Sequence, residues 1–170
     1  PSQPAITSPE PAKSSLSLER IYQQHEFKTA PVPQIRWLKQ QQAYTVLEDP
    51  KQKTAQTTDK SNKKAKVSGH DIVRYQAKDG SRDILVTASE LTPAGAKAPL
   101  TIEDYQWSDD QQKLLIFTNS VKVWRNNTRG DYWIFDLTSR TLQAVGGSGI
   151  DPKQLMFAKF SPDSQQLAYV

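Results

Sequence analysis

The chain has 170 residues, with 22 Lys and Arg against 18 Asp and Glu, a net charge of +4 and a mean hydropathy of −0.69. That size suits one domain or part of a larger one, and the polar, mildly basic balance lies far from a dedicated nucleic-acid binder. There is no cysteine, so disulfides and thiolate nucleophiles are excluded and an exported protein is a natural fit. No apolar run approaches the roughly 18 residues of a membrane span.

Residues 1–15 are rich in Pro, Ser, Lys and Ala and read as a flexible leader, because they offer too little apolar surface to order themselves. Residues 16–33 read as a short helix followed by an extended connection. Ser17 is its expected N-cap, Glu19 suits the first turn, and Leu18, Ile21 and Tyr22 share a face. Pro31 and Pro33 then favour extended chain.

From residue 34 onward the sequence repeats. Trp37, Trp107 and Phe160 each precede a polar turn, and Tyr44, Leu114 and Leu167 follow them at a spacing of seven. The turns are Leu38-Lys39-Gln40-Gln41, Ser108-Asp109-Asp110-Gln111 and Ser161-Pro162-Asp163-Ser164. The last has strong turn chemistry, with Pro fixing φ and Asp bonding nearby backbone. Behind this unit, Asp71-Ile72-Val73-Arg74-Tyr75 and Asp131-Tyr132-Trp133-Ile134-Phe135 each read as a strand followed by a turn and a further strand, at 84–87 and 141–145. Each repeat thus carries four antiparallel strands. The fold class is all-β, a β-propeller fragment of about two and a half four-stranded blades over 34–170. A Lys-rich loop at 50–66 is inserted in the first. Its lysines, Lys51, Lys53, Lys60, Lys63, Lys64 and Lys66, have no aromatic neighbours to stack bases, so no nucleic-acid partner is expected. Gln166-Leu167-Ala168-Tyr169-Val170 reads as a strand in progress, which suggests a piece of a longer protein.

The candidate binding residues lie in Val123-Trp124-Arg125-Asn126-Asn127-Thr128-Arg129-Gly130-Asp131-Tyr132-Trp133. Two tryptophans and two arginines there occupy what reads as a polar connection between strands. Long side chains on a connection held by rigid strands suggest contact with a ligand. A guanidinium stays charged and presents a fork that fits a carbonyl or carboxylate, so Arg125 is the main candidate. Trp124 joins it as a candidate contact, although packing that fixes the loop suits it better. Asn126-Asn127-Thr128 reads as turn-forming, and Arg129 as a structural partner of Asp131 or Glu103. Glu103-Asp104 and Asp109-Asp110 are adjacent carboxylates, which face opposite ways on a strand and make no acid–base dyad. His25 and His70 lack metal-ligand spacing, so no metal and no cofactor is assigned. Trp37, Trp107, Phe117, Phe135 and Phe160 read as blade-packing core.

Several runs together resemble the N-terminal propeller of dipeptidyl peptidase IV and its bacterial relatives. They are Leu91-Thr92-Pro93-Ala94-Gly95, Ile102-Glu103-Asp104-Tyr105-Gln106-Trp107-Ser108, Lys113-Leu114-Leu115-Ile116-Phe117-Thr118-Asn119, the Trp124-Arg125 stretch, Leu155-Met156-Phe157-Ala158-Lys159-Phe160-Ser161-Pro162-Asp163 and the helix at 16–22. The Trp-Arg stretch and the Met-Phe-Ala-Lys-Phe-Ser-Pro-Asp run are the specific part. The resemblance implies a serine exopeptidase that releases Xaa-Pro or Xaa-Ala dipeptides from peptide N-termini. It also implies an eight-bladed propeller over an α/β-hydrolase domain, a periplasmic or extracellular location, and room for a homodimer of the full-length enzyme. No Gly-x-Ser-x-Gly occurs in these 170 residues, so no catalytic residue is expected in this chain. By the same resemblance, Arg125 donates to a substrate carbonyl. The alternative is a non-catalytic propeller that serves as a scaffold for protein or peptide binding.

Overall fold

The computed structural model describes residues 16–29, 33–50 and 69–170. The leader at 1–15, Pro31 and the lysines of the 50–66 insertion lie outside the described residues. The chain divides into two compact units, 1–32 and 33–170.

In the first unit, Glu19–Gln23 form one short helical turn of π type. Ser17 acts on it from one residue further out than a regular N-cap: its Oγ accepts from Arg20 N at 3.3 Å. Leu18 and Tyr22 are both 70% exposed, so the apolar face read from the sequence buries no residue of this helix. The turn is held instead by Arg20, which pairs with Glu26 and lies 5.2 Å from the Phe27 ring centroid.

The second unit is antiparallel β throughout its sheets. β1 (Arg36–Leu38), β2 (Ala43–Glu48), β3 (Asp71–Gln76) and β4 (Arg82–Val86) form a meander in chain order. β5 (Asp104–Trp107), β6 (Lys113–Val123), β7 (Asn126–Asp136) and β8 (Thr141–Ala144) form a second, and β9 (Leu155–Met156) adds to β7. β10 (Lys159–Phe160) and β11 (Leu167–Ala168) are a two-stranded third sheet. Two full blades and half of a third match the expected propeller fragment. Two short 3₁₀ turns, Ala88–Leu91 and Gly147–Gly149, were not anticipated. The first is held by a capping box between Thr87 and Glu90.

β6 shows why the sheets stack. Its run Leu114-Leu115-Ile116 is fully buried, because alternate residues serve opposite faces. Leu114 and Ile116 join Phe135, Tyr105, Ile72 and Val86 between the first and second sheets. Leu115 joins Tyr132, Leu155 and Ala158 on the other side, with Phe160 and Leu167 of the third sheet packed against them.

The Ser-x-Asp turns repeat atom for atom. Ser108 Oγ donates to Asp110 Oδ1 at 2.6 Å and accepts from Lys113 N at 2.9 Å. Ser161 Oγ donates to Asp163 and accepts from Gln166 N at 2.9 Å. The fourth residue of each turn, Gln111 or Ser164, has positive φ. The Ser108 hydroxyl, with the Gln112 amide, holds the Asp110 carboxyl below the usual carboxylate range. The turns also join blades: Ser164 Oγ accepts from Asp110 N at 3.1 Å, and Lys39 pairs with Asp109 at 2.7 Å.

Between the first two blades lies a buried polar cluster. Thr45 is fully buried, and its Oγ1 sits 3.0 Å from the Tyr105 hydroxyl and accepts from Trp107 Nε1 at 3.0 Å. Thr45→Val keeps the volume but leaves the indole N–H and the phenol without that partner. An unsatisfied buried group costs about 1–3 kcal/mol. Denaturant unfolding of the full-length protein followed by tryptophan fluorescence is expected to show a loss of that size, and an unchanged midpoint would count against the cluster.

Trp37 departs from the core reading and is 63% exposed. Its neighbour Leu38 is 4% exposed, so alternation turns Trp37 to the opposite, outward face. There it packs edge-on against Tyr44, which stacks on Tyr75 at 5.6 Å. Phe135 is fully buried, while Trp107, Phe117 and Phe160 are partly buried and packed on the two cores.

Candidate functional site

The hairpin β6–β7 is far longer than its neighbours, with 11 residues in each strand. Only Trp124 and Arg125 form the connection, so Asn126-Asn127-Thr128 is strand and not the turn expected from its composition. Backbone pairing continues through Val121↔Arg129, Lys122↔Asn127 and Val123↔Asn126. Residues 119–130 thus form a finger beyond the blade.

Two compensating bulges set the finger off. The register steps between Thr118 and Val121, and again between Val121 and Lys122. At the first step Asn119 and Ser120 oppose Gly130 alone, with Asn119 at φ +52°. At the second Thr128 is the extra residue. Such bulges bend a strand and re-aim its side chains. The base is tied down by carboxylates. Glu103 accepts from Ser120 N at 2.8 Å and also from Ser120 Oγ. Asp131 accepts from Asn119 Nδ2 at 2.8 Å and Lys153 N at 2.6 Å. Thr118 Oγ1 donates to Thr101 O at 2.7 Å, and β9 pairs with Arg129 and Gly130. The expected partners of Arg129 are therefore engaged elsewhere, and Arg129 makes no ion pair among the described residues.

Gly130 is required by close approach. A Cβ there would stand 2.4 Å from the Phe117 ring and 2.8 Å from Thr118 O. Gly130→Ala overpacks the finger's root and is expected to cost about 1–3 kcal/mol. Hydrogen exchange of the β7 amides in the full-length protein should quicken accordingly. Unchanged protection would mean that Phe117 moves aside freely.

At the tip, Trp124 adopts φ +59° and is 93% exposed. The packing role read for it from the sequence is thereby corrected: it braces nothing. Arg125 is exposed and, among the described residues, has no hydrogen bond or ion pair. A charged fork is thus presented on a rigid, anchored hairpin.

Beside the finger lies a cleft of about 160 Å³ whose walls include Asp104, Gln106, Phe117, Asn127, Tyr132 and Phe157. Phe117 and Tyr132 pack at 4.8 Å between centroids, and burial pushes the Tyr132 phenol up. Asp104 is already paired with Arg36 at 2.6 Å. The sequence reading missed this cleft. The available signal was an apolar Phe157 outside any alternating pattern.

Elsewhere the candidates disperse. His70 Nε2 is 3.5 Å from Asp49, and His25 sits at φ +50° in the first unit. No three His, Cys, Asp or Glu among the described residues are grouped as metal ligands.

Residues 108–170 match the family model described as the dipeptidyl peptidase IV (DPP IV) N-terminal region. Dipeptidyl aminopeptidase B of Saccharomyces cerevisiae is 38% identical over 99 residues, 58% of this chain and 11% of that protein. The probable dipeptidyl-aminopeptidase B of Emericella nidulans is 36% identical over 63 residues, 37% of this chain and 7% of that protein. The chain therefore spans only a small fraction of the curated relatives it matches. The crystal structure of Porphyromonas gingivalis dipeptidyl peptidase 4 superposes on 91% of this chain and 19% of its own, with a TM-score of 0.61 at 19% identity, which supports the fold. The finger falls inside residues 108–170, the stretch that is similar to the N-terminal region of dipeptidyl peptidase IV.

Proposed function

We propose that the protein carrying this chain is a serine-type dipeptidyl peptidase that removes Xaa-Pro and Xaa-Ala dipeptides. This chain supplies part of the propeller wall that gates and anchors the substrate, while an α/β-hydrolase domain outside these 170 residues carries the nucleophile. The observation that carries the reading is Arg125: an exposed, unpaired guanidinium at the turn of an anchored finger, within the stretch that matches the family. Its charge-assisted bond to a substrate carbonyl holds the scissile bond near the nucleophile without touching the reacting atoms. Trp124 beside it offers a flat apolar surface to the same peptide.

The test uses a Gly-Pro chromogenic reporter. The full-length protein is expected to release the chromophore and to stop after treatment with a serine-reactive inhibitor. The 170-residue chain alone is expected to release none. A full-length protein that binds peptides and turns none over is the non-catalytic scaffold instead. A periplasmic or extracellular location and a homodimer of the full-length enzyme belong to the same proposal. Cell fractionation and sedimentation test them.

A further inference from the structure

The cleft at the finger's root has three features that the peptidase reading does not use. The first is Phe157. It is 60% exposed, yet its backbone sits at φ +56°, a region that bulky residues avoid. Strain of this kind persists where the surroundings enforce it, and it gathers at ligand clamps. Here Ala158 is buried against Leu155 and Tyr132 in the second core, which holds the chain on either side and leaves the Phe157 ring at the cleft wall. The second is size. The cleft holds about 160 Å³, room for a single aromatic or branched side chain, and Phe117 and Tyr132 also line it. The third is charge. Asn127 lines the cleft and pairs across the finger with Lys122, and cross-strand partners share a face. Lys122 therefore stands on the cleft side, two residues before the Trp124-Arg125 turn. No acidic residue occurs from 119 to 130, and Asp104, the one carboxylate lining the cleft, is matched by Arg36 at 2.6 Å.

We infer that the cleft and the finger bind a peptide segment in which an aromatic side chain stands next to a carboxylate. The aromatic ring enters the cleft lined by Phe157, Phe117 and Tyr132. The carboxylate meets Lys122. A basic peptide is disfavoured, because it would place like charges against the finger with no free acid to offset them. The inference needs no catalysis and stands apart from the peptidase reading.

The test is calorimetric titration of the full-length protein with N-acetylated, C-amidated peptides, which lack the free amine of an exopeptidase substrate. The probes are Gly-Phe-Glu-Gly, Gly-Phe-Gln-Gly and Gly-Ala-Glu-Gly. The Phe-Glu peptide is expected to bind about tenfold tighter than Ala-Glu, from burial of the ring. At low salt it is expected to bind about three- to fivefold tighter than Phe-Gln, from the exposed charge pair. Phe157→Asn should stay folded, because Asn tolerates positive φ; it should remove the preference for Phe and keep the preference for Glu. Lys122→Gln should do the reverse. Wild-type binding without discrimination, or variants that weaken all three peptides alike, would overturn the inference. Turnover of the Gly-Pro reporter is scored separately, so either proposal can fail alone.

Discussion

Arg125→Ala in the full-length protein is expected to lower kcat/KM on a Pro-containing dipeptide reporter by about ten- to a hundredfold. One charge-assisted hydrogen bond contributes about 1.5–3 kcal/mol, and each 1.4 kcal/mol is a factor of ten. The loss should come through positioning, so kcat falls along with affinity. Arg125→Lys should recover only part of it, because a point charge lacks the planar fork. The fold should survive, since Arg125 has no partner among the described residues and the finger is anchored through Glu103, Thr118 and Asp131. Circular dichroism is the folding control. A folded Arg125→Ala protein with unchanged kcat/KM would make the arginine an ordinary surface residue and remove the main support for the proposed anchor.

The blades were legible because their chemistry is local. Trp107, the Ser108-x-Asp110 turn and Leu114 are a strand, a turn and a strand within eight positions. The hydroxyl and carboxylate that close the turn act on amides two to five residues away. The finger was less legible. Asn126-Asn127-Thr128 has turn composition, yet it pairs as strand because Asn119 and Thr128 absorb two register steps. Backbone pairing overrides side-chain preference once a hairpin is nucleated at both ends. Trp37 was misread because aromatic character was taken for burial, whereas Leu38 already holds the inward position. The cleft was the least legible part, with Phe157 its one sequence signal. Its walls come from β5, β6, β7 and the chain after β9, and no sequence spacing reports a juxtaposition made by three separate hairpin registers.

The largest stability effect is expected at Phe135. It is fully buried and pairs across its sheet with Leu114 on β6 and Leu142 on β8. It therefore joins three strands of the second blade while facing Ile72 and Val86 of the first. Its ring also lies 5.4 Å from the Arg140 guanidinium. That arginine bonds Glu90 at 2.8 Å and Leu85 O at 2.9 Å, so it clamps the far end of blade two to the edge of blade one. Phe135→Ala removes core volume and the surface under the clamp together, and large-to-small changes of this kind cost about 3–5 kcal/mol. Phe135→Leu should cost about 1–1.5 kcal/mol, since most of the volume remains. Amide exchange in the full-length protein resolves the effect by blade. In Phe135→Ala, β6, β7 and β3 should lose protection together, because one cluster supports them all. Arg140→Ala should lose less than Phe135→Ala, because its ion pair is exposed at the surface. If protection fell in β7 alone while β3 kept its wild-type rates, the two blades would not share this core, and the inter-blade packing argued from Phe135 would be wrong.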